Sequence, residues 1–171
     1  MKTTTTQPHP NAELHHLFVD QLRDILWAEK ELVKALPKMA KAANDPKLSN
    51  AFTSHRAETK NQVARLGQIF ESLGLAPRAK KCPAMEGLLK EADELGEEYA
   101  DSSALDAALI TAAQKVEHYE IASYGTMRAF AQRLGYADAV KLLTATINEE
   151  GNADHALTAI ATGGVNQMAL A

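Results

Sequence analysis

Ala112-Ala-Gln-Lys-Val-Glu-His-Tyr-Glu-Ile-Ala-Ser-Tyr-Gly-Thr126 carries glutamates where a helical core would place apolar side chains. Leu109, Ala113, Val116, Met127 and Phe130 recur at the three- and four-residue spacing of one helix face. Glu120 falls on that face, Glu117 lies beside it one turn earlier, and Tyr124 continues the line. Gly135 closes the helix, and a further helix is expected from Tyr136 to Thr162, ending at Gly163-Gly164. There Val140, Leu143, Ile147, Leu157 and Ala161 form a stripe whose missing members are Glu150 and Asp154. In an antiparallel hairpin, residues equally far from the turn share a level. Glu120 matches Glu150, and Glu117 matches Asp154, about the Gly135-Tyr136 turn.

The first half of the chain repeats the pattern. Phe18, Leu22, Ile25, Leu32, Leu36 and Met39 define a long helix over residues 11–43, and Glu29 interrupts their seam. Asn44-Asp45-Pro46 is a turn, with Pro46 opening a second helix that runs to Leu73 and stops at Gly74. Its stripe of Leu48, Phe52, Leu66, Ile69 and Leu73 passes through His55, with Glu58 one turn further along that flank. Glu29 and Glu58 are matched about the Asn44–Pro46 turn. Pro37 is expected to kink the first helix or break one of its turns. Between the two hairpins, Leu75–Cys82 reads as a linker, Pro83–Tyr99 as a short helix, and Asp101-Ser-Ser as the start of the third long helix. Short turns force antiparallel neighbours, whereas the long connection permits a crossover. The expected fold is all-α: a four-helix bundle with a crossover connection carrying a short fifth helix. Residues 1–10 read as a disordered tail, 11–163 as the bundle and 164–171 as a C-terminal tail.

Composition agrees. The chain has 171 residues, enough for one domain, with 46% apolar and 23% charged residues. Thirty-one alanines against 5% aromatics favour helix over sheet. A net charge of −4 and a pI near 5.9, without a dense Lys/Arg block, exclude binding driven by phosphate neutralisation, so no nucleic-acid partner is expected. No apolar run approaches the roughly 20 residues that cross a bilayer, so no membrane partner is expected. No secretory signal is visible at the N-terminus. The single Cys82 cannot form an internal disulfide and reads as a loop thiol beside Pro83, which suits a reducing, cytoplasmic setting.

Seven candidate ligands thus fall at or beside inward-facing positions: Glu29, His55, Glu58, Glu117, Glu120, Glu150 and Asp154. Each hairpin brings its own acids to one level, and spacing alone does not set whether the two levels coincide. Uncompensated, six carboxylates in a core would repel one another and raise their own pKa values. Two metal ions would neutralise most of that charge and coordinate the unpaired oxygens. Oxygen-rich ligation with one imidazole suits iron or manganese, and a site free of cysteine argues against structural zinc. Glu31 and Glu149 lie off the seams as bystanders, and His118 and His155 point away from the stripes. Tyr124 could donate a hydrogen bond or an electron to the site, or simply pack in the core.

Several segments carry a family resemblance: Trp27-Ala-Glu-Lys-Glu-Leu, His55-Arg-Ala-Glu-Thr, Cys82-Pro-Ala-Met-Glu-Gly-Leu, the Ala112–Thr126 run, and Glu149-Glu150 with Asp154. Together they resemble the YciE/YciF family, ferritin-like bacterial proteins associated with stress. The resemblance spans residues 12–162 and implies a ferritin-like, dimeric, all-helical protein. It also implies a di-metal centre, taken as di-iron, on the seven residues above. The set departs from common di-iron carboxylate bundles, which carry Glu-x-x-His on two helices. Here the second helix has the order reversed, His55-x-x-Glu58, and the last helix supplies Glu150 and Asp154 with no histidine. The function expected is redox handling of O₂ or H₂O₂ at the metal site. The alternatives are iron sequestration without turnover and a metal-stabilised structural dimer.

Overall fold

Asp45 sits in extended geometry just before Pro46, and its carboxylate accepts from the amides of Lys47 (2.7 Å) and Leu48 (3.2 Å). That cap separates α1 (Glu13–Ala42) from α2 (Pro46–Ser72) and turns the chain back on itself. The computed structural model describes residues 12–171, so the tail expected over residues 1–10 lies outside the described residues. Three more helices follow: α3 (Pro83–Glu98), α4 (Leu105–Leu134) and α5 (Ala137–Ile160). Gly74 and Gly135 adopt φ of 68° and 78° just past α2 and α4, where a side chain would be strained.

Side-chain ties fix the relative directions. Both carboxylate oxygens of Asp106, at the start of α4, accept 2.8 Å bonds from the Asn44 and Asp45 amides. The crossover has therefore carried the chain back to the α1–α2 turn, and α4 runs parallel to α2. At the far end, Tyr136 meets His15 (Oη···Nδ1 2.8 Å) and packs on Phe18 at the start of α1. Around the bundle, α1 touches α2 and α4, α5 touches the same two helices, and α3 lies against α4 and α1. This is the ferritin-like four-helix bundle with its crossover and short fifth helix. Among the described residues, no helix is long and apolar enough to cross a membrane.

Four local expectations change or narrow. The helix continues through Pro37 without a broken turn. Proline leaves the Val33 carbonyl without its helical donor, and the Arg56 guanidinium of α2 takes it (3.2 Å). The third long helix begins at Leu105 rather than Asp101, because residues 99–104 form turns in which Ser102 Oγ accepts from the Ala104 amide (3.1 Å). Gly163-Gly164 does not end the chain's helical course. A π-helical turn spans Ala161–Val165, kinks at Gly164, and leads into a last turn at Asn166–Met168. Val165 is buried in the core and Ser103 Oγ donates to the Ala171 carbonyl (3.2 Å), so this segment docks on the bundle. Finally, Cys82 is no open loop thiol. Its buried sulfur caps α3 by accepting from the Met85 amide (3.3 Å) and contacts Tyr119 Oη at 3.0 Å.

Candidate metal centre

Where the four long helices cross the same level, one polar cluster interrupts the core. His55 of α2, Glu117 and Glu120 of α4, and Glu150 of α5 are all buried, with one ligand atom from each within 4.8 Å of the others. His55 Nε2 lies 3.3 Å from Glu117 Oε1 and 3.7 Å from Glu150 Oε2. Glu29 of α1 is fully buried beside them, accepts from the Tyr124 hydroxyl, and feels the charge of Glu150. The levels of the two hairpins therefore coincide, which spacing alone left open.

The other two expected residues flank this cluster. The Glu58 side chain is 47% exposed, with Oε2 3.4 Å from His55 Nδ1. Asp154 is 17% exposed, accepts from Gln114 Nε2 (3.0 Å) and faces exposed His118 (3.3 Å). Helix periodicity explains Glu58. From Leu48 and Phe52 the buried row of α2 continues through His55, Thr59, Gln62 and Leu66, which turns position 58 toward the rim. The row on α5 is Ala139, Leu143, Thr146, Glu150 and Leu157, one residue out of phase with Val140 and Ile147, which are only half-buried.

That α2 row also holds a residue the sequence reading missed. Gln62 is buried, and its Nε2 donates to Glu150 Oε1 and, at 3.2 Å, to Glu149 Oε2. Glu149 in turn receives two bonds from the Arg65 guanidinium, at 2.5 and 2.6 Å. Glu149 is thus tied through Gln62 to Glu150 and is no bystander. Continuing the four-three row past His55 would have found Gln62, but nothing local marks the Arg65–Glu149 pair. Replacing Arg65 with Met should destabilise the protein by about 1–3 kcal/mol, the usual loss when a half-buried charged hydrogen bond is broken. Urea denaturation at fixed metal content would measure it, and an unchanged midpoint would show the pair contributes nothing.

Electrostatics show why the cluster needs compensation. Burial, then the charge of Glu150, pushes the Glu117 carboxyl up to about 10. Burial likewise raises Glu29, with Glu150 adding to it, and Glu120, with Glu29 adding to it. Burial also raises Glu150, against an opposing pull from His55. Glu149 moves the other way because Arg65 hydrogen-bonds its carboxylate. Tyr124 is raised by burial and stays a donor. Among the described residues, six buried atoms of the cluster have no hydrogen-bond partner: Glu29 Oε2, His55 Nε2, Glu117 Oε2, both oxygens of Glu120, and Glu150 Oε2. Buried acceptors are rarely left so. Carboxylate oxygens with one imidazole nitrogen form a donor set that could hold a metal ion.

The comparisons with known proteins agree with this architecture. The family model described as a domain of unknown function, DUF892, matches residues 13–170. Protein YciF of Escherichia coli K12 is 48% identical over 157 residues, covering 91% of this chain and 95% of its own. The crystal structure of the E. coli stress protein YciF superposes with a TM-score of 0.85 over 90% of this chain and 97% of that one. A Rhodopseudomonas palustris protein, YcfI, described as a candidate structural protein, is 45% identical with a TM-score of 0.83, covering 92% of this chain and 97% of its own. With a family match over nearly the whole of its length and this identity to YciF, the chain belongs to the DUF892 family and to the family of YciF.

Proposed function

We propose that this protein is a di-metal redox protein of the bacterial stress response, handling O₂ or H₂O₂ at the bundle centre. The observation that carries the reading is the buried His55–Glu117–Glu120–Glu150 cluster with its unpartnered atoms. Those four residues would hold one ion, and Glu29 Oε2 would help hold a second. Glu58 and Asp154 would complete the set from the rim. Iron is the preferred metal and manganese the alternative. Bound redox-active ions of this kind exchange electrons with O₂ or peroxide.

The chain's own groups do the positioning. Gln62 holds Glu150 by Oε1, which leaves Oε2 facing the cluster. Tyr124 keeps its proton and directs it at Glu29 Oε1, fixing that carboxylate's orientation. The surrounding apolar side chains keep bulk water out, which strengthens every charge interaction inside. We also place the protein in the cytoplasm as a homodimer, in keeping with its single buried thiol and its family resemblance. A structural role for the protein gains support from the description of YcfI.

Single-turnover mixing of reduced, metal-loaded protein with H₂O₂, followed by absorption spectroscopy, separates these readings. The redox reading expects oxidation of bound metal within seconds, with peroxide consumed in proportion. Loaded protein that leaves peroxide untouched would restrict the site to storage or structure.

A further inference from the structure

The seam between α2 and α5 is closed on one side of the cluster and open on the other. Toward the C-terminal end of α2 it is laced shut by Gln62, Arg65 and Glu149. Toward the N-terminal end of α2, a groove of about 250 Å³ lies between the helices. Ala51 and Ser54 on one wall and Ala153 and Ala156 on the other leave it open, with Phe52, Asn152 and Leu157 completing the lining. His55 and Glu58 line the same groove, so it reaches the rim of the cluster.

We propose that this groove is the route by which hydrated divalent cations reach the metal centre. The proposal rests on the metal-centre reading above and adds the path. Three observations carry it. Glu29, Glu117, Glu120 and Glu150 are all buried, so an ion must cross the helix packing to reach them. Glu58 presents a half-exposed carboxylate there, and a negative charge in a cleft concentrates cations. Its Oε2 lies 3.4 Å from His55 Nδ1, so the groove's acid already touches a member of the cluster. The volume admits an ion with several waters but falls below the roughly 300–1,000 Å³ typical of organic-ligand pockets. Alanine and serine on its walls leave space that larger residues would fill.

Plugging the groove tests this without touching a candidate ligand. Ala156→Trp and Ala51→Trp fill it from opposite walls, and Val63→Trp places the same bulk in a separate surface groove between α1 and α2. Full-length chains stripped by chelation are mixed with Mn²⁺. Uptake is followed by competition with a fluorescent chelator, and the final Mn²⁺ content by elemental analysis. Circular dichroism confirms the fold of each variant, and two plugs on different helices guard against one misfolding. The expected result is uptake at least tenfold slower in both plugged variants, an unchanged final Mn²⁺ content, and a wild-type rate in Val63→Trp. Wild-type uptake rates in the folded plugged variants would overturn the route while leaving the metal centre intact. A wild-type protein that takes up no Mn²⁺, iron or other divalent cation would overturn both.

Discussion

Stripping the metal from this protein should lower its melting temperature by about 6–16 °C without unfolding it at room temperature. Ligands that bind only the folded state stabilise it by mass action, by about 3–4 kcal/mol when free metal exceeds its Kd by two to three orders of magnitude. In a chain of this length each kcal/mol moves the midpoint by roughly 2–4 °C. The apo protein should remain helical because the apolar rows of all four long helices are intact, from Phe18 and Leu22 on α1 to Leu143 and Leu157 on α5. Circular dichroism melts before and after chelation, with iron or Mn²⁺ added back, measure the effect. Superimposable melts would mean that no cation binds selectively to the folded state.

The second large effect is a reversal of pH dependence between the apo and loaded forms. Glu29, Glu117, Glu120 and Glu150 all have pKa values raised in the folded state, chiefly by burial. A folded state with raised carboxyl pKa values binds protons that the unfolded chain releases. The resulting stabilisation is complete below the ordinary carboxylate range and fades as pH rises through the raised values, to about 10 for Glu117. Between pH 8 and 5.5 the apo protein should therefore gain stability on acidification. Each extra bound proton contributes about 1.4 kcal/mol per pH unit. Glu149 has a lowered pKa, so its opposing contribution is lost only below the ordinary carboxylate range, outside this window. The loaded protein should show the opposite slope, because protons compete with metal for the same oxygens. Melting curves of both forms across this range check the sign. An apo midpoint that falls steadily from pH 8 to 5.5 would mean that these carboxylates are solvated.

Much of this site could be read from residue spacing, for a physical reason. A glutamate inside an apolar row is conspicuous, which is why Glu29, Glu120 and Glu150 are legible from spacing, and all three are fully buried. Polar residues of moderate character are not conspicuous. Thr59 and Gln62 continue the α2 row but register as ordinary surface residues, and Glu58, a stronger signal, lies one position off it. On α5 the true row contains Ala139 and Thr146, so the more apolar Val140 and Ile147 shifted the apparent phase by one residue. The meeting of the two hairpin levels depends on tertiary ties such as Asp106 to the α1–α2 turn, which leave no periodic trace. The Arg65–Glu149 pair joins residues 84 apart, beyond any local pattern. At the C-terminus, Gly163-Gly164 carries a stop signal, yet burial of Val165 holds the next turn against the bundle.

Elemental analysis of protein purified without added metal tests the central claim most directly, with wild type set beside Glu29→Ala, Glu150→Ala and Glu31→Ala. Glu29 and Glu150 are buried at the cluster, whereas Glu31 pairs with Lys34 on the outer face of α1. The expected result is iron or manganese, approaching two ions per chain, in wild type and Glu31→Ala, and no more than half of that in Glu29→Ala and Glu150→Ala. Equal metal content in all four proteins, or none in wild type, would contradict a metal centre built on these carboxylates.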